Sequence, residues 1–351
     1  MVNVGIVGCG YWGAKHVRVF NTLPEAKLTI VCDKDKDKLK EVRDQYPYVA
    51  RTSDYADLLG GSVDAIVIAT PVGTHYQLAR EALLHDKHVL VEKPLTASSK
   101  EALDLIRLAK KQNRVLMVGH TFMYHPAVDY LRNLIKSGEL GEIYYIDTAR
   151  LNLGLIRPDV NVIWDLAPHD ASIILYVLDM EPISVSARGA AHFDPGVHDV
   201  AYLELEFNKE ILAHIHVSWL DPCKVRRVTI VGSKKMAVYN DISDSEKIRI
   251  YDKGVTIPTD NDNFAGWPPR YRFGDVVIPF ISNAEPLKVE CSDFLTCIRE
   301  GKNPRSDGWT GLKVVNILET AHRSLMNGGG THKFRTLVPN GVLARGKSGG
   351  E

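Results

Sequence analysis

Apolar runs of strand length alternate with amphipathic stretches through the first 120 residues. The runs are rich in valine and isoleucine and show no polar alternation, which is typical of parallel strands with both faces covered; they span residues 3–7, 28–32, 64–70, 88–91 and 114–118. Strands that alternate with crossover helices predict an α/β unit, a doubly wound parallel sheet with helices on both faces, over residues 1–123.

The pattern changes after residue 120. A helix is predicted over 126–136, with Gly138 as its stop, and a second over 164–178. Strand patterns dominate up to residue 251 and span 142–150, 182–190, 200–207, 211–218, 226–231 and 247–251. Several of them alternate apolar and polar residues, as in a sheet that buries one face only. We therefore predict an α+β domain over 124–351, built on a large, mainly antiparallel open sheet.

The C-terminal part of the second domain has fewer strand patterns. Segment 255–284 is rich in proline and glycine, and it is predicted to be a loop. Helices are predicted over 286–300 and 310–327, where they would pack back on the core. The open face of the sheet needs cover, so we expect a homodimer or homotetramer.

Composition and charge narrow the classes of partner. Lysine plus arginine equals the acidic residues at 43 each, so no net field favours nucleic acid or a membrane surface. No apolar run reaches the length of a membrane span. The five cysteines form no CxxC pair, and the first residues show no signal-peptide pattern, so we expect free thiols in a cytoplasmic protein.

A glycine motif follows the first strand. Gly8 allows a tight turn, Gly10 lets the backbone approach a pyrophosphate, and Gly13 lets helix and strand pack closely. The helix that follows, from Ala14 to about Leu23, points its N-terminal N–H groups at the phosphates. The alternative is a glycine turn that binds nothing.

Asp33 strengthens the dinucleotide interpretation. It ends the second strand twenty residues past Gly13, where an acid that binds the adenosine ribose should stand. A carboxylate there repels a 2′-phosphate, which favours NAD over NADP. The lysines at 34, 36 and 38 keep NADP open, because one of them could neutralise that phosphate.

Candidate catalytic residues lie at two further places. Lys93 ends the fourth strand, and ligands collect at the carboxyl ends of parallel strands; the alternative is an exposed loop lysine. Asp165 and His169 are four residues apart on a helix, so the carboxylate could orient the imidazole and favour its protonated form. If Asp165 merely caps the helix, Pro168 stands where a capped N–H is needed, which weakens that alternative. Asp170 is a lower-ranked partner for His169.

These motifs together resemble the Gfo/Idh/MocA oxidoreductases. The resemblance rests on the glycine motif, Glu92-Lys93-Pro94, Gly119-His120 and the Asp165–His169 spacing, which come in the family's order. It implies a Rossmann domain followed by an α/β substrate domain, with Lys93, Asp165 and His169 beside the nicotinamide. It also implies that the cofactor pocket is lined by Thr70, Pro71, His75, Glu92 and His120, together with Tyr11 and Trp12 of the glycine motif.

The expected reaction is the oxidation of an alcohol. His169 would remove the hydroxyl proton as the carbon gives up its hydride, Lys93 would stabilise the developing alkoxide, and Asp165 would position His169. Residues 152–170 resemble the branch of the family that oxidises nucleotide sugars such as UDP-N-acetylhexosamines at C3. In that pocket Arg157 would pair with a diphosphate, Asn161 would bind sugar hydroxyls, and Trp164 would line the wall.

Other functions stay open from the sequence. Arg157 could face solvent, and a free sugar, a sugar phosphate or an inositol would need the same chemistry as a nucleotide sugar. A non-catalytic dinucleotide-binding regulator would be expected to lose Lys93 or His169, and a reductase of imines or tetrapyrroles would not need an Asp–His pair. His214 and His216 alternate on one strand but have no third ligand at a recognisable spacing, so we expect no metal.

Overall fold

The computed structural model describes residues 1–154, 156–157, 159–256 and 269–334. Its first unit has the parallel strands β1 (Val2–Val7), β2 (Ala26–Cys32), β3 (Ala50–Thr52), β4 (Ala65–Ile68), β5 (His88–Glu92) and β6 (Leu116–Gly119). They form one sheet in the order β3-β2-β1-β4-β5-β6. The predicted doubly wound sheet is confirmed, and the strand that the sequence pattern did not predict, β3, is only three residues long.

Helices cover both faces of this sheet. They are α1 (Tyr11–Thr22), α2 (Lys36–Gln45), α3 (Val72–Leu84) and α4 (Ser99–Lys111). Two of them have a polar N-cap: Asp35 accepts from backbone N–H groups of α2, and Ser98 accepts from the N–H of Glu101 in α4. The prediction that α1 begins at Ala14 was wrong by three residues, because Gly13 lies inside the helix rather than before it.

The second unit begins with α5 (Pro126–Lys136), as predicted. Among the described residues its sheet contains nine strands, in the order β14-β13-β12-β11-β7-β10-β9-β8-β15. Only β7 and β10 pair in parallel, so the prediction of a mainly antiparallel open sheet is confirmed. The strands are β7 (Ile143–Leu151), β8 (Ser184–Ala190), β9 (Val200–Glu206), β10 (Leu212–Ser218), β11 (Val225–Gly232), β12 (Met236–Asn240), β13 (Ile248–Thr256), β14 (Arg270–Val277) and β15 (His332–Lys333).

The prediction of a loop over 255–284 was wrong in part. β13 extends to Thr256, and β14 pairs with it through the register Lys253–Phe273; residues 257–268 lie outside the described part. β14 is an edge strand with little burial on either face, so it has no buried apolar face for a periodicity argument to detect.

The described part of this unit contains three further α-helices: α6 (Val162–Leu178), α7 (Pro286–Glu300) and α8 (Gly308–Met326). α6 and α8 pack on one face of the second sheet, against β10 and β8 respectively. The other face is open and forms a depression of about 880 Å³ whose lining includes Tyr145, Asp147, Glu204, His214 and Arg227. No helix within the described ranges is long and apolar enough to cross a membrane.

α8 also holds the first unit. It packs against α4 and β6 as well as against α6 and β8. Just before it, the Ser306 carbonyl accepts the Val118 N–H at 2.8 Å, which extends the pairing at the edge of β6. The Glu319 carboxylate accepts the Ser99 N–H at 3.2 Å. The end of the described chain therefore joins the two units.

Candidate active site

The loop between β1 and α1 depends on three glycines with different surroundings. Gly8 has φ +88°, and a Cβ there would lie 2.5 Å from the Ala69 carbonyl oxygen. A Cβ on Gly13 would lie 1.8 Å from the Gly8 carbonyl oxygen, as expected where helix and strand approach closely. At Gly10, by contrast, no protein atom of the described chain lies within 4 Å of the Cβ position. The protein itself therefore excludes a side chain at Gly8 and Gly13, whereas Gly10 faces open space.

A dinucleotide fits this loop. α1 has no side-chain cap in the described structure, so its first N–H groups are free to bind an anion beside Gly10. At the end of β2, Asp33 is fixed next to the loop: Oδ2 accepts the Cys9 N–H at 2.6 Å and Oδ1 accepts the Asp35 N–H at 2.9 Å. An anion-binding helix end and a fixed carboxylate are the two features that pyrophosphate and ribose recognition needs.

A small cavity of about 130 Å³ lies at the carboxyl ends of β4 and β5. Arg157 and Trp164, both predicted to bind substrate, line this cavity and not the larger one described next. It is also lined by the predicted cofactor residues Trp12, Thr70, Pro71, His75, Glu92 and Lys93. The structure thus brings together side chains that the sequence analysis divided between cofactor and substrate.

A larger cavity of about 580 Å³ lies between the two units. Lys93 and Asp165 line both cavities, and His169 lines the larger one. The three predicted catalytic residues therefore meet at one place, although they come from β5 and from α6. Tyr11, predicted to contact the cofactor, lines the larger cavity instead of the small one.

Lys93 sits at the junction of the two cavities. Its ammonium group donates to the backbone carbonyl oxygen of Asp165 at 2.7 Å and lies 3.8 Å from Asp165 Oδ1. The side chain is 11% exposed, and burial lowers its pKa from the ordinary value, against the opposing effect of Asp165 and Glu92. A nearly dehydrated ammonium group that still reaches an open cavity can stabilise a negative oxygen there.

The predicted contact between Asp165 and His169 was wrong. In the described structure, Oδ2 of Asp165 accepts the Trp219 indole N–H at 3.0 Å, while Oδ1 lies 3.5 Å from the Arg157 guanidinium and faces Lys93. A helical spacing of four brings two residues to one face but does not turn their side chains toward each other, and Asp165 has stronger donors nearby. The Asp165 carboxylate therefore holds Trp219 and Arg157 in place and does not orient the His169 imidazole.

His169 is a neutral imidazole, not the protonated one that the sequence analysis expected. Its ring packs edge-on against Phe122 with the centroids 5.2 Å apart, and its buried Nδ1 has no partner among the described residues. Burial, followed by the charges of Lys93 and Arg150, holds its pKa well below the ordinary value. A neutral imidazole that lines a cavity can accept a proton from a ligand.

Asp170, the lower-ranked partner for His169, pairs with Arg150 instead. Arg150 Nε donates to Asp170 Oδ2 at 2.7 Å, and both side chains are almost fully buried. The guanidinium also stacks on Phe122 at 4.6 Å. This ion pair anchors α6 to β7 directly behind His169.

The assignment of Asn161 to sugar hydroxyls is contradicted by its position. Asn161 is buried and lines neither cavity. Its Oδ1 accepts the Trp164 N–H at 3.3 Å and so caps α6, while its Nδ2 lies 3.0 Å from His322 Nδ1 on α8. Both ends of the amide are occupied, so Asn161 positions α6.

A buried polar layer lies beneath Lys93. His16 Nε2 is 2.9 Å from Glu92 Oε1, and Glu290 is fully buried with Oε2 accepting from Thr121 at 3.0 Å. Burial and the charge of Glu92 raise the Glu290 pKa well above its ordinary value, so this carboxyl is held neutral. His120 is also fully buried, and burial followed by the Lys93 charge lowers its pKa to about 3. It lines neither cavity, and its contact with the cofactor stays a prediction.

His75 joins the ends of two strands. Its ring nitrogens lie 2.8 Å from the Thr70 carbonyl oxygen and 2.9 Å from the Pro94 carbonyl oxygen. It supports the small cavity as well as lining it.

Sequence reasoning missed several residues that line the larger cavity. Among them are Thr121, Phe122, His125, Arg150, Asn152, Arg226 and Asp241. The first three follow the carboxyl end of β6, so the strand-end argument that found Lys93 could have found them too. Arg226 and Asp241 come from the antiparallel sheet, and nothing in their spacing signals a site.

The two histidines considered for a metal lie on the open face of the sheet. His214 Nδ1 is 2.9 Å from Asp147 Oδ1, and Tyr202 stacks on His216 with the ring centroids 4.3 Å apart. Within the described ranges, no group of three or more histidine, cysteine, aspartate or glutamate side chains is arranged to hold a metal ion.

Comparisons with known proteins identify the family of both units. A family model described as "Oxidoreductase family, NAD-binding Rossmann fold" matches residues 2–120, and the GFO/IDH/MocA C-terminal domain matches residues 128–238. A UDP-N-acetylglucosamine 3-dehydrogenase from Acidithiobacillus ferrooxidans is 29% identical over 90% of this chain and 94% of its own. A scyllo-inositol 2-dehydrogenase from Bacillus subtilis is 25% identical over 96% and 95%. A solved structure of the Acidithiobacillus enzyme has a TM-score of 0.76 at 26% identity, covering 93% of this chain and 98% of that one.

The glycine loop gives a matched pair of variants. Gly13→Ala should destabilise the fold by about 1–3 kcal/mol, because its Cβ meets the Gly8 carbonyl. Gly10→Ala should keep the melting temperature but weaken NAD binding by about tenfold or more, because its Cβ enters the space for the phosphates. Thermal unfolding and calorimetric titration with NAD distinguish the two effects. Gly61→Ala, whose Cβ also meets no atom, is the control that should change neither. Unchanged NAD affinity in Gly10→Ala would contradict the assignment of the loop.

Proposed function

Since this chain belongs to the Gfo/Idh/MocA family of NAD-binding oxidoreductases, we propose that it oxidises a secondary alcohol of a nucleotide sugar, at C3 of a UDP-N-acetylhexosamine, with NAD as the acceptor. The observation that carries the proposal is the meeting of Lys93 and His169 at one cavity, next to a loop that fits a dinucleotide. The alternative substrates are free sugars, sugar phosphates and inositols.

His169 is the proposed general base. Its pKa lies below the ordinary value, so the ring is neutral and ready to accept the proton of the substrate hydroxyl. Nδ1 is buried, which leaves Nε2 as the nitrogen for this transfer. Bound NAD would supply the hydride acceptor.

Lys93 is the proposed electrostatic partner of His169. Its ammonium group would hold the substrate oxygen as the proton leaves, because a nearly dehydrated cation stabilises developing negative charge strongly. Asp165 contributes through position: its carbonyl holds Lys93, and its carboxylate binds Trp219. We therefore assign Asp165 a positioning role toward Lys93, in place of the role toward His169 that the sequence suggested.

The preference for NAD rests on Asp33. Its carboxylate is fixed beside the glycine loop by the Cys9 N–H and would repel a 2′-phosphate. Of the three lysines that could offset this effect, Lys38 already pairs with Glu41 at 3.0 Å.

The preference for a nucleotide sugar rests on the relatives and on the room in the larger cavity. The relative named as a UDP-N-acetylglucosamine 3-dehydrogenase aligns with nearly the whole chain, and so does the inositol dehydrogenase, which keeps a polyol as the second candidate. Arg157, assigned from sequence to a diphosphate, is engaged by Asp159 and Asp165, so a substrate would have to displace one of these pairs.

A substrate and cofactor panel tests the proposal directly. We expect NAD to be reduced to NADH with UDP-N-acetylglucosamine or a related UDP-sugar as the substrate. With NADP in place of NAD, kcat/KM for the same substrate should be lower. Absorbance of the reduced cofactor is the measurement, with scyllo-inositol, free N-acetylglucosamine and glucose 6-phosphate as the comparison substrates. Oxidation of inositol at low concentration without turnover of any UDP-sugar would overturn the substrate assignment.

Replacing the two reactive side chains tests the mechanism. Lys93→Ala and His169→Ala should each lower kcat by about 10²-fold or more, the usual scale for a lost acid–base or oxyanion group, with NAD affinity nearly unchanged.

In the wild type, kcat/KM should fall on the acid side only below pH 6.5, because His169 must be neutral and its pKa is lowered. It should fall on the alkaline side before pH 10.5, because Lys93 must be charged and its pKa is also lowered. His85→Gln, on the exposed end of α3, is the control, and an acid limb above pH 6.5 would rule out the neutral His169.

We also propose that the open face of the second sheet forms the contact of a homodimer or homotetramer. The face exposes Tyr145, Tyr202 and Leu212 around the depression, and an exposed apolar patch of this kind suits a two-fold interface, in which the same surface of both subunits meets. Light scattering should give a dimer or tetramer mass at micromolar concentration, and Leu212→Glu should shift it toward the monomer. Leu84→Glu, at the end of α3, is the matched control. A monomeric wild type would contradict the proposal.

A further inference from the structure

The His169 ring has no carboxylate beside it that fixes its orientation. The Asp165 carboxylate accepts from Trp219, and that of Asp170 accepts from Arg150. The buried Nδ1 of His169 has no hydrogen-bond partner among the described residues. A general base transfers a proton efficiently only when its ring is held at a fixed angle to the substrate. Contacts of another kind therefore have to orient this imidazole.

Phe122 supplies such a contact. It belongs to the short helical turn Thr121–Tyr124, which follows the carboxyl end of β6. The ring centroids of Phe122 and His169 are 5.2 Å apart and the ring planes are inclined by 72°, the edge-to-face arrangement that aromatic rings prefer. Both rings line the larger cavity. The Phe122 carbonyl oxygen accepts the His125 N–H at 3.1 Å, which fixes the backbone that carries the ring.

Arg150 holds Phe122 in turn. Its guanidinium carbon lies 4.6 Å from the centroid of the Phe122 ring. The same guanidinium makes two bonds to Asp170, at 2.7 Å from Nε to Oδ2 and at 3.3 Å from Nη2 to Oδ1. Asp170 follows His169 directly on α6, so the contacts lead from the helix through Arg150 and Phe122 back to His169. A planar guanidinium can stack on a ring and bind both oxygens of a carboxylate, whereas a lysine can do neither.

We propose that Phe122 is the positioning residue of His169 and that the Arg150–Asp170 pair fixes Phe122. The inference rests on the proposed function for the role of His169 as the general base. In the triads of many hydrolases a carboxylate orients the catalytic histidine and also stabilises its protonated form. An aromatic ring orients the imidazole by packing and adds no negative charge beside it. The catalytic histidine of this chain is therefore oriented without being made cationic.

A double-mutant cycle between Phe122 and His169 tests the proposal. Phe122→Leu keeps an apolar side chain but loses the planar ring. With UDP-N-acetylglucosamine and NAD, kcat should fall about tenfold, because a displaced base costs rate, while KM for the sugar and NAD affinity change by less than about threefold. In the His169→Ala background the same substitution should change kcat by less than about twofold, because no imidazole is left to orient. Phe273→Leu, on the exposed strand β14, is the control that should leave kcat unchanged.

Arg150→Lys extends the cycle to the second contact. It keeps the positive charge but loses the stack on Phe122 and the paired bonds to Asp170. We expect kcat to fall about threefold or more in the wild-type background and to stay unchanged in the His169→Ala background. Thermal unfolding establishes that each variant is folded at the temperature of the assay. If Arg150→Lys does not fold, the cycle with Phe122→Leu decides alone.

The outcomes separate this inference from the proposed function. Unchanged kcat in Phe122→Leu, or the same loss in both backgrounds, would overturn the positioning role and leave the function standing. A raised KM with unchanged kcat would also overturn it, because Phe122 would then be a wall for the substrate. If the wild type oxidises scyllo-inositol and no UDP-sugar, the substrate assignment fails, and the same cycle with scyllo-inositol still tests Phe122. Full activity in His169→Ala would overturn both the proposed base and its positioning residue.

Discussion

The hydrogen bond from the Lys93 ammonium group to the Asp165 carbonyl oxygen holds the active site together. It ties the carboxyl end of β5 to the first turns of α6, and so links the strand end that carries Lys93 to the helix that carries His169. A carbonyl oxygen has two lone pairs and can hold the lysine while the helix continues. Three residues after Asp165, Pro168 offers no N–H to the Trp164 carbonyl, which loosens the hydrogen-bond ladder of the helix at this turn.

That contact brings with it an electrostatic constraint. Within the described part of the chain, three carboxylates around Lys93 and His169 are already engaged: Asp165 with Trp219 and Arg157, Asp170 with Arg150, and Glu92 with His16. The imidazole is left among cations and stays neutral. Unpartnered polar atoms gather in the same region, on His120, His169 and Glu290, and each costs stability when buried. The fold tolerates this cost around Lys93. Buried polar atoms without hydrogen-bond partners are expected at the functional site of an enzyme.

The sequence was sufficient for the architecture and for the convergence of Lys93 and His169 on one cavity, because both follow from local rules. Apolar periodicity indicated both sheets, and the strand-end rule together with the family resemblance brought Lys93 and His169 to one place. Side-chain direction did not follow from spacing, as Asp165 shows by turning to Trp219, fifty-four residues away in sequence. Asn161 was misassigned for a related reason: its cap bond is local, but its second partner, His322, comes from the far end of the chain. Contacts of this range leave no periodic signal.

The bridging position of α8 bears on the modularity of the chain. The helix lies beyond both stretches that match the family models, yet Ser306 extends the pairing of β6, Glu319 bonds to Ser99, and His322 meets the cap of α6. The cofactor unit therefore depends on contacts with residues far beyond residue 123. A chimera that exchanges this unit for that of a relative has to take the segment from Ser306 through α8 with it. The boundary between the two units therefore crosses the chain twice, once after β6 and once after α7.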